Sequence, residues 1–449
     1  MNTPQRIRLH WFSPLPPSKT GIADYTAGLV PYLQEQAEVV LWTTQDHWDS
    51  DVERYAPVRR FRHGELKWTD IANCAEATNI PIFHLGNNGE FHQEIWELSC
   101  AIPGITVLHD TRLQHFFGHV LRDRLKARER YVRAMQRHYG EEGARAAERF
   151  WVGGHSTEEM AHRFPLALLA LENSPAAVVH SEESLKLLAE EGYHTATCLP
   201  LPYASRQERP ARVSGPPFRI AIFGYLGPNR RLDAFFKALA GFPDRKQFRV
   251  DVFGTVSDPL YIRGIVQQGG IEEIVDFRGH LPLDQLEAGL SAAHLAVNLR
   301  FPTMGEASLS QLQLWDHGLA TMVTPVGWYA HLPEGTVVYV RPEHETADIQ
   351  RHLKDFLMQP DHFFRMGWKA REFLKKMHQP QKYAADFLEF AAEYRSFVLR
   401  RTALELAERA ARNLRGWLPP HCVDIISPSI SDRIASLMCV EERRRHAAA

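Results

Sequence analysis

Cysteine is scarce in this 449-residue chain: Cys74, Cys100, Cys198, Cys422 and Cys439 are the whole set, scattered and without a C-x-x-C pair. An odd, dispersed set argues against a disulfide framework and against a zinc cluster, and fits a reducing cytosol. No run of 18 apolar residues occurs, so no membrane-spanning helix is expected. The first residues run straight into a strand-like segment, Ile7–Phe12, without the apolar core of a signal peptide. An excess of charge is missing too. Fifty-two Lys and Arg against 54 Asp and Glu leave a formal charge of −2, which argues against a nucleic-acid binder relying on bulk charge. Glycine and proline, 28 each, exclude a collagen-like or low-complexity chain. No internal repeat, G-x-G-x-x-G or P-loop is found, so dinucleotide and ATP chemistry lack their usual signatures. What is present is ordinary: 44% apolar and 24% charged residues. That suits a folded cytoplasmic protein of about two to four domains, each able to bury a core.

The first half alternates short apolar runs with helical periodicity. Strands are expected at Arg8–Ser13, Val39–Thr43, Ile80–Leu85, Ile105–His109 and Ala177–His180, with helices at Ile22–Gln34, Glu90–Ser99 and Ser184–Glu190. Such alternation implies βαβ units and a parallel sheet. The stretch from about 112 to 171 is too long for one crossover and predicts a helical insertion. Pro200–Pro217 is rich in proline and reads as a linker. The alternation then restarts, with strands expected at Phe218–Phe223, Arg249–Phe253, Val275–Arg278, Leu295–Leu299, Ala320–Thr324 and Thr336–Val340, and helices notably at Leu232–Ala240 and Ser308–His317. The division is therefore residues 1–205, a linker at 206–217, a second α/β domain at 218–385 and a helical extension at 386–449. A break stands at Pro419–Pro420, and Leu404, Leu406, Leu414 and Trp417 are available to pack on the first domain or on a partner. Two such domains leave a cleft facing the carboxyl ends of both sheets.

Four clusters fall at those strand ends. The loop Ser13–Ala23 carries Lys19 and Gly21 at a helix start, where free N–H groups suit an anionic or polyhydroxyl ligand; a Pro-rich turn into a helix explains it equally well. His84-Leu85-Gly86-Asn87-Asn88 and His109-Asp110 end the third and fourth strands, placing polar side chains where a cleft would be. His180-Ser181 is a weaker parallel, since Ser181 also suits a helix cap. Gly224 to Arg231 offers two glycines and two arginines, Arg230 and Arg231, ahead of a helix, which suits a diphosphate or simply a solvated turn. Leu299-Arg300-Phe301-Pro302-Thr303-Met304-Gly305-Glu306-Ala307-Ser308 opens the helix ending near Gly318, so its N–H groups are placed to bind phosphate or sugar hydroxyls. The plainer reading of Glu306 is a first-turn acid stabilised by the helix dipole.

In order along the chain, the Gly21 loop, VLHD, VVHS, FGYLGPNRR, VDFRG and LRFPTMGEAS resemble retaining family-4 glycosyltransferases of the GT-B fold over about residues 7 to 390, and among them a bacterial subgroup acting in surface polysaccharide assembly. The resemblance implies an α/β protein with two Rossmann-like domains facing across a cleft. It implies a nucleoside-diphosphate sugar held mainly by the second domain (Gly224, Arg230, Arg231, Gly305, Glu306, Ala307, Ser308) with Gly21 of the first, and with His109, Glu306 and Arg230 as the catalytic set. It also implies a glycan or lipid-linked acceptor on the first domain (Lys19, His84, Asn87, Asn88, Asp110), with no metal and no cofactor. Two positions depart from the pattern: Tyr225 stands where an arginine often does, and the second glutamate of an E-x7-E signature is absent, Gln313 being the nearest candidate for the ribose.

His119–His138 holds seven Lys and Arg against Asp123 and Glu129. Basic, helix-prone segments of this kind bind anionic membrane surfaces at the inner face of a bilayer, and they also occur as solvated helix faces. Two rivals remain. One is a metal-dependent GT-A transferase, for which Asp49-Ser50-Asp51 is the only D-x-D; the other is a GT-B-shaped protein that binds nucleotide sugar without turnover.

Overall fold

The computed structural model describes residues 6–71, 77–205 and 215–417. Cys74, Cys422 and Cys439, most of the expected linker (206–214), and everything from 418 onward, including Pro419–Pro420, lie outside the described residues.

Two parallel sheets follow each other along the chain. The first takes β1 (Arg6–Phe12), β2 (Glu38–Thr43), β3 (Val58–Arg60), β4 (Ala77–Leu85), β5 (Ile105–Leu108), β6 (Ala176–Val179) and β7 (Ala196–Cys198) in the order β3-β2-β1-β4-β5-β6-β7. The second takes β8 (Phe218–Leu226), β9 (Phe248–Val256), β10 (Val275–Gly279), β11 (Leu295–Val297), β12 (Ala320–Val323) and β13 (Val337–Tyr339) in the order β10-β9-β8-β11-β12-β13. All pairings are parallel. The inner strands β5, β6, β11 and β12 are buried at every residue, as helices on both faces require. In each sheet the order reverses beside the first strand, between β1 and β4 and between β8 and β11. Loops at such switch points splay apart and leave a crevice at the carboxyl ends of the strands. The Gly21 and His84 loops lie at the first of these points, and the Gly224–Arg231 and Asn298–Ser308 loops at the second.

The two halves meet through these loops. The N–H groups of Thr111 and Arg112 donate to the Met304 carbonyl at 3.1 and 3.0 Å, and Ser184 Oγ donates to the Gly305 carbonyl at 2.8 Å. The chain also crosses back. The helix Pro380–Ala392 packs on the helix Gly21–Leu33, with Tyr25 Oη donating to Tyr383 Oη at 2.8 Å and Phe387 edge-on to Trp11. Along the helix Tyr394–Trp417, Tyr394 Oη donates to the Pro103 carbonyl and Arg401 to the Ser174 and Glu172 carbonyls. This helix therefore lies on the first sheet's half, and of the four apolar residues expected to pack on that half or on a partner, Leu404 and Leu406 do not pack there. Ala403 and Ala407 are buried while Leu404 and Leu406 are exposed; the side chains of Leu414 and Trp417 lie outside the described residues.

Between β5 and β6 runs the helical insertion: Gln114–Phe117, a π-helical turn Gly118–Arg124, Arg128–Trp151, Thr157–Arg163 and Ala167–Ala170. The basic run is not one helix. It breaks at 125–127, where Lys126 takes φ +52°. Its charges are mostly engaged: Arg122 with Asp123, Arg128 with Glu148, Arg133 with Glu129, Arg137 with Glu172, and Arg130 stacked 4.8 Å over Trp96. Among the described residues no helix is long and apolar enough to cross a membrane.

Candidate active site

Arg230 ends the short turn Pro228–Arg230 after β8 and is only 5% exposed. Its guanidinium donates to Asn298 Oδ1 at 2.7 Å and to the Phe223 carbonyl at 2.8 Å, and bonds the Tyr329 hydroxyl. Gly224, at φ +119°, makes the space: a Cβ there would stand 2.9 Å from Arg230 Nη2. The glycine thus admits the protein's own arginine rather than a ligand directly. Burial, and next the nearby Arg300, push the Arg230 pKa down to about 9. Arg300, by contrast, is held above its ordinary value; burial works against its charge, and Tyr329 and Glu306 outweigh it. Arg231 faces elsewhere, forked onto Glu345 at 2.7 and 2.6 Å.

Glu306 is not a first-turn acid. The helix begins at Leu309, and Ser308 is its cap, accepting from Gln311 N at 3.1 Å. Glu306 lies before that cap, accepts from Met304 N (2.7 Å) and Thr303 Oγ1 (3.1 Å), and pairs with Arg300 at 2.9 Å. It therefore closes the loop on itself and neutralises one of the two arginines. Gly305, at φ +82°, presses so closely on the first half that a Cβ would lie 2.0 Å from Thr111 Oγ1. Ala307 is half-buried beside it, and Gly21 faces the same helix across the cleft, its missing Cβ position 3.7 Å from Leu309.

Gln313, the candidate for the missing second glutamate of E-x7-E, is engaged with the neighbouring helix Leu283–Ala292, donating to Glu287 at 3.0 Å. The residue that joins the Arg230 network is Gln311, whose Oε1 accepts from Asn298 Nδ2 at 2.9 Å. Asn298, Gln311, Tyr329, Thr111 and Ser184 were not singled out by sequence; a lone Asn or Tyr after a strand carries no pattern to find.

On the opposite wall, His109 and Asp110 follow β5. Asp110 Oδ2 accepts from Asn87 N at 2.8 Å. Burial, and then the charge of Glu306, raise the Asp110 pKa to about 7. His109 is half-buried, and its Nε2 lies 3.0 Å from His84 Nδ1. Burial and the neighbouring histidines keep the pKa of both well below 6.5. Of the expected acceptor residues, only some reach the cleft. His84 is 0% exposed and sits behind His109, so it cannot touch a ligand there. Asn87 Nδ2 ties the loop to the Arg112 carbonyl, and Asn88 caps the helix Gly89–Ala101. Lys19 is exposed, beside the cap Thr20. Asp49 caps a 3-10 turn by accepting from Asp51 N, and Asp51 pairs with Arg54, so the D-x-D is an acidic turn. Among the described residues no group of three His, Cys, Asp or Glu is placed to share a metal ion.

No protein-family profile and no curated protein matches the sequence. Solved structures do. Anabaena HepE, in complex with UDP and glucose, superposes with a TM-score of 0.60 at 12% identity, covering 86% of this chain and 100% of its own. Sucrose-phosphate synthase of Thermosynechococcus elongatus gives 0.60 at 14%, covering 87% and 100%. WaaG, a glycosyltransferase involved in lipopolysaccharide biosynthesis, gives 0.53 at 14%, covering 84% and 98%. The chain has the GT-B fold: two Rossmann-like halves, a helical insertion and a helical C-terminal region.

Proposed function

We propose that the protein is a metal-independent, retaining glycosyltransferase of the family-4 kind, moving a sugar from a nucleoside diphosphate to a glycan or lipid-linked acceptor in surface polysaccharide assembly. The observation that carries this reading is Arg230. Its hydrogen bonds go to an amide, a carbonyl and a hydroxyl, all neutral, while a second guanidinium stands nearby. A buried cation with neutral partners is short of negative charge. A diphosphate supplies it; Glu306 is paired directly with Arg300 and favours the Arg230 charge only from farther off.

As the sugar–phosphate bond breaks, an oxocarbenium-like centre forms on one side and diphosphate charge grows on the other. Preorganised cations placed where charge develops lower that barrier without a metal. Arg230 and Arg300 would take this role, with His109 and Asp110 holding the sugar from the other wall. No protein nucleophile is needed if the acceptor attacks on the face the diphosphate leaves, with a phosphate oxygen as base. HepE complexes with UDP and UDP-glucose support a uridine nucleotide as the first donor to try.

A second reading, nucleotide-sugar binding without turnover, is favoured by the exposed Tyr225 and by Gln313 being tied to Glu287. Purified protein incubated with UDP-, GDP- and dTDP-sugars separates the two. Released or transferred sugar of retained anomeric configuration supports the transferase, binding without turnover supports the second reading, and binding of none overturns both. Membrane attachment at the cytoplasmic face rests on Arg124 and Lys126, which make none of the run's ion pairs. Exchanging both for glutamine should abolish binding to anionic vesicles at low salt; unchanged binding would place the contact elsewhere.

A further inference from the structure

Behind the cleft lies a layer of rings: His84, His109 and His180 surround Tyr25 with centroids 4.9 to 5.7 Å from it. From this layer we infer that His84 is a positioning residue that fixes the tautomer of His109, so that His109 offers an N–H from Nδ1 to an oxygen in the cleft and does not act there as a base.

A neutral imidazole has one donor nitrogen and one acceptor. His84 Nδ1 and His109 Nε2 face each other at 3.0 Å, so one donates and the other accepts. His84 Nε2 is buried without a partner. If His84 accepted at Nδ1, its proton would stand on Nε2 as an orphaned buried N–H. If it donates, Nε2 keeps only a bare lone pair, the less costly of the two. The surrounding histidines show which form this core imposes. His92 Nδ1 lies 3.0 Å from the His84 carbonyl, His180 Nδ1 3.0 Å from the Leu199 carbonyl and His378 Nδ1 2.7 Å from the Leu201 carbonyl. A carbonyl only accepts, so each of these carries its proton on Nδ1, and His180 Nε2 is left bare like His84 Nε2. With His84 donating, His109 Nε2 must accept and its proton sits on Nδ1. That nitrogen has no partner among the described residues and is not one of the fully buried atoms, and His109 keeps surface at the strand end, two residues before Thr111, whose N–H meets the Met304 carbonyl.

Nothing around His109 rewards a charge. It faces His84 from β4, His92 from the helix Gly89–Ala101, His180 after β6 and Tyr25 from the helix Gly21–Leu33, while Tyr383 of the helix Pro380–Ala392 closes the layer against Tyr25 and His180. The one carboxylate adjacent in the chain, Asp110, is engaged by Asn87 N. His109 therefore stays a neutral donor. That the oxygen it meets belongs to the transferred sugar rests on the transferase reading; the tautomer does not.

The experiment is nitrogen NMR of full-length protein labelled at histidine, with the His109 signals identified by their loss in His109→Gln. The expected spectrum shows His109 as the neutral Nδ1–H form, with no titration near its ordinary value of about 6.5. His84 should show its own proton on Nδ1 and a through-hydrogen-bond nitrogen–nitrogen coupling to His109 Nε2, and in His84→Gln, whose amide can still donate, His109 should keep Nδ1–H. His180→Leu removes a ring neighbour but no bond to His109 and should leave the tautomer unchanged. In transfer assays His84→Leu should lower kcat about tenfold or more with little change in donor KM. An Nε2–H form of His109 in the unmutated protein, or a His84 that carries its proton on Nε2, overturns the inference; should His84→Leu not fold, the unmutated spectrum still decides. Absence of turnover in every variant would count against the transferase reading and leave the tautomer result standing.

Discussion

At Arg230 a cation is buried among neutral acceptors, so its removal should be felt by the ligand before it is felt by the fold. Arg230→Ala is expected to weaken UDP binding by about 2–3 kcal/mol, the usual scale for a charge-assisted bond, or about 30- to 150-fold in Kd. Arg230→Lys should recover only part, because a compact ammonium cannot reach Asn298, the Phe223 carbonyl and Tyr329 together. Calorimetric titration checks both, and unchanged affinity in Arg230→Ala would remove the diphosphate assignment. Asp110 gives a second test through pH. Its folded pKa of about 7 exceeds the ordinary 3.8. Between about pH 4 and about pH 7 the folded chain keeps a proton that the unfolded chain has lost, so this residue's contribution makes stability fall as pH rises through that window. Asp110→Asn cannot ionise and should gain in melting temperature over the unmutated protein at about pH 8 but not at about pH 4. His109 and Asp110 were legible because they stand at a strand end that the sequence pattern locates, and Arg230 and Glu306 because they lie in the loops that follow such ends. Asn298, Gln311 and Tyr329 were not, because they matter only through contacts with Arg230 made 68 or more positions along the chain or with one another.

Among the elements, the strands were legible wherever an apolar run marks them, at the edges β10 and β13 as well as inside the sheets, and the two edge strands of the first sheet were not. β3 is Val-Arg-Arg with its arginines exposed, and β7 is half-buried at all three residues, so neither leaves an apolar run. The basic run was legible as charged and helix-prone, but its break at Lys126 and its ion pairs to Glu148 and Glu172 belong to the packed insertion and leave no mark in its composition. The Asn298–Ser308 loop is the element on which the two halves depend, and Gly305 is its tightest point. Gly305→Ala must both hold φ +82° and place a methyl against Thr111. The variant is expected to bind nucleotide nearly as the unmutated protein does, since Arg230 and its partners lie wholly in the second half. It should lose transfer, with kcat falling rather than donor KM rising, because the Met304 and Gly305 carbonyls could no longer meet Thr111, Arg112 and Ser184. Retained turnover would mean that catalysis does not require this contact.

For the molecule as a whole, the order of the chain and the order in space differ at one place that bears on chemistry. The chain leaves the second sheet and returns to the first, so Tyr383, Phe387 and Tyr394 pack in one apolar core with Leu9, Trp11 and Tyr25. The two halves are thus joined behind the cleft by helices and in front of it by the loop at Gly305, and whatever neutralises a diphosphate must come from the strand ends between them. Those ends carry Arg230 and Arg300, while Asp49 and Asp51 sit in the connection between β2 and β3, engaged in a helix cap and an ion pair. A metal-dependent transferase needs carboxylates bridged to the diphosphate through the ion and stops when the ion is removed. Here transfer should proceed in excess EDTA at the rate seen with magnesium or manganese, and an Asp49→Asn, Asp51→Asn double variant should stay active. Collapse in EDTA, rescue by manganese and a dead double variant would together mean that the donor charge is met in the first half, and that Arg230 and Arg300 serve the fold rather than the reaction.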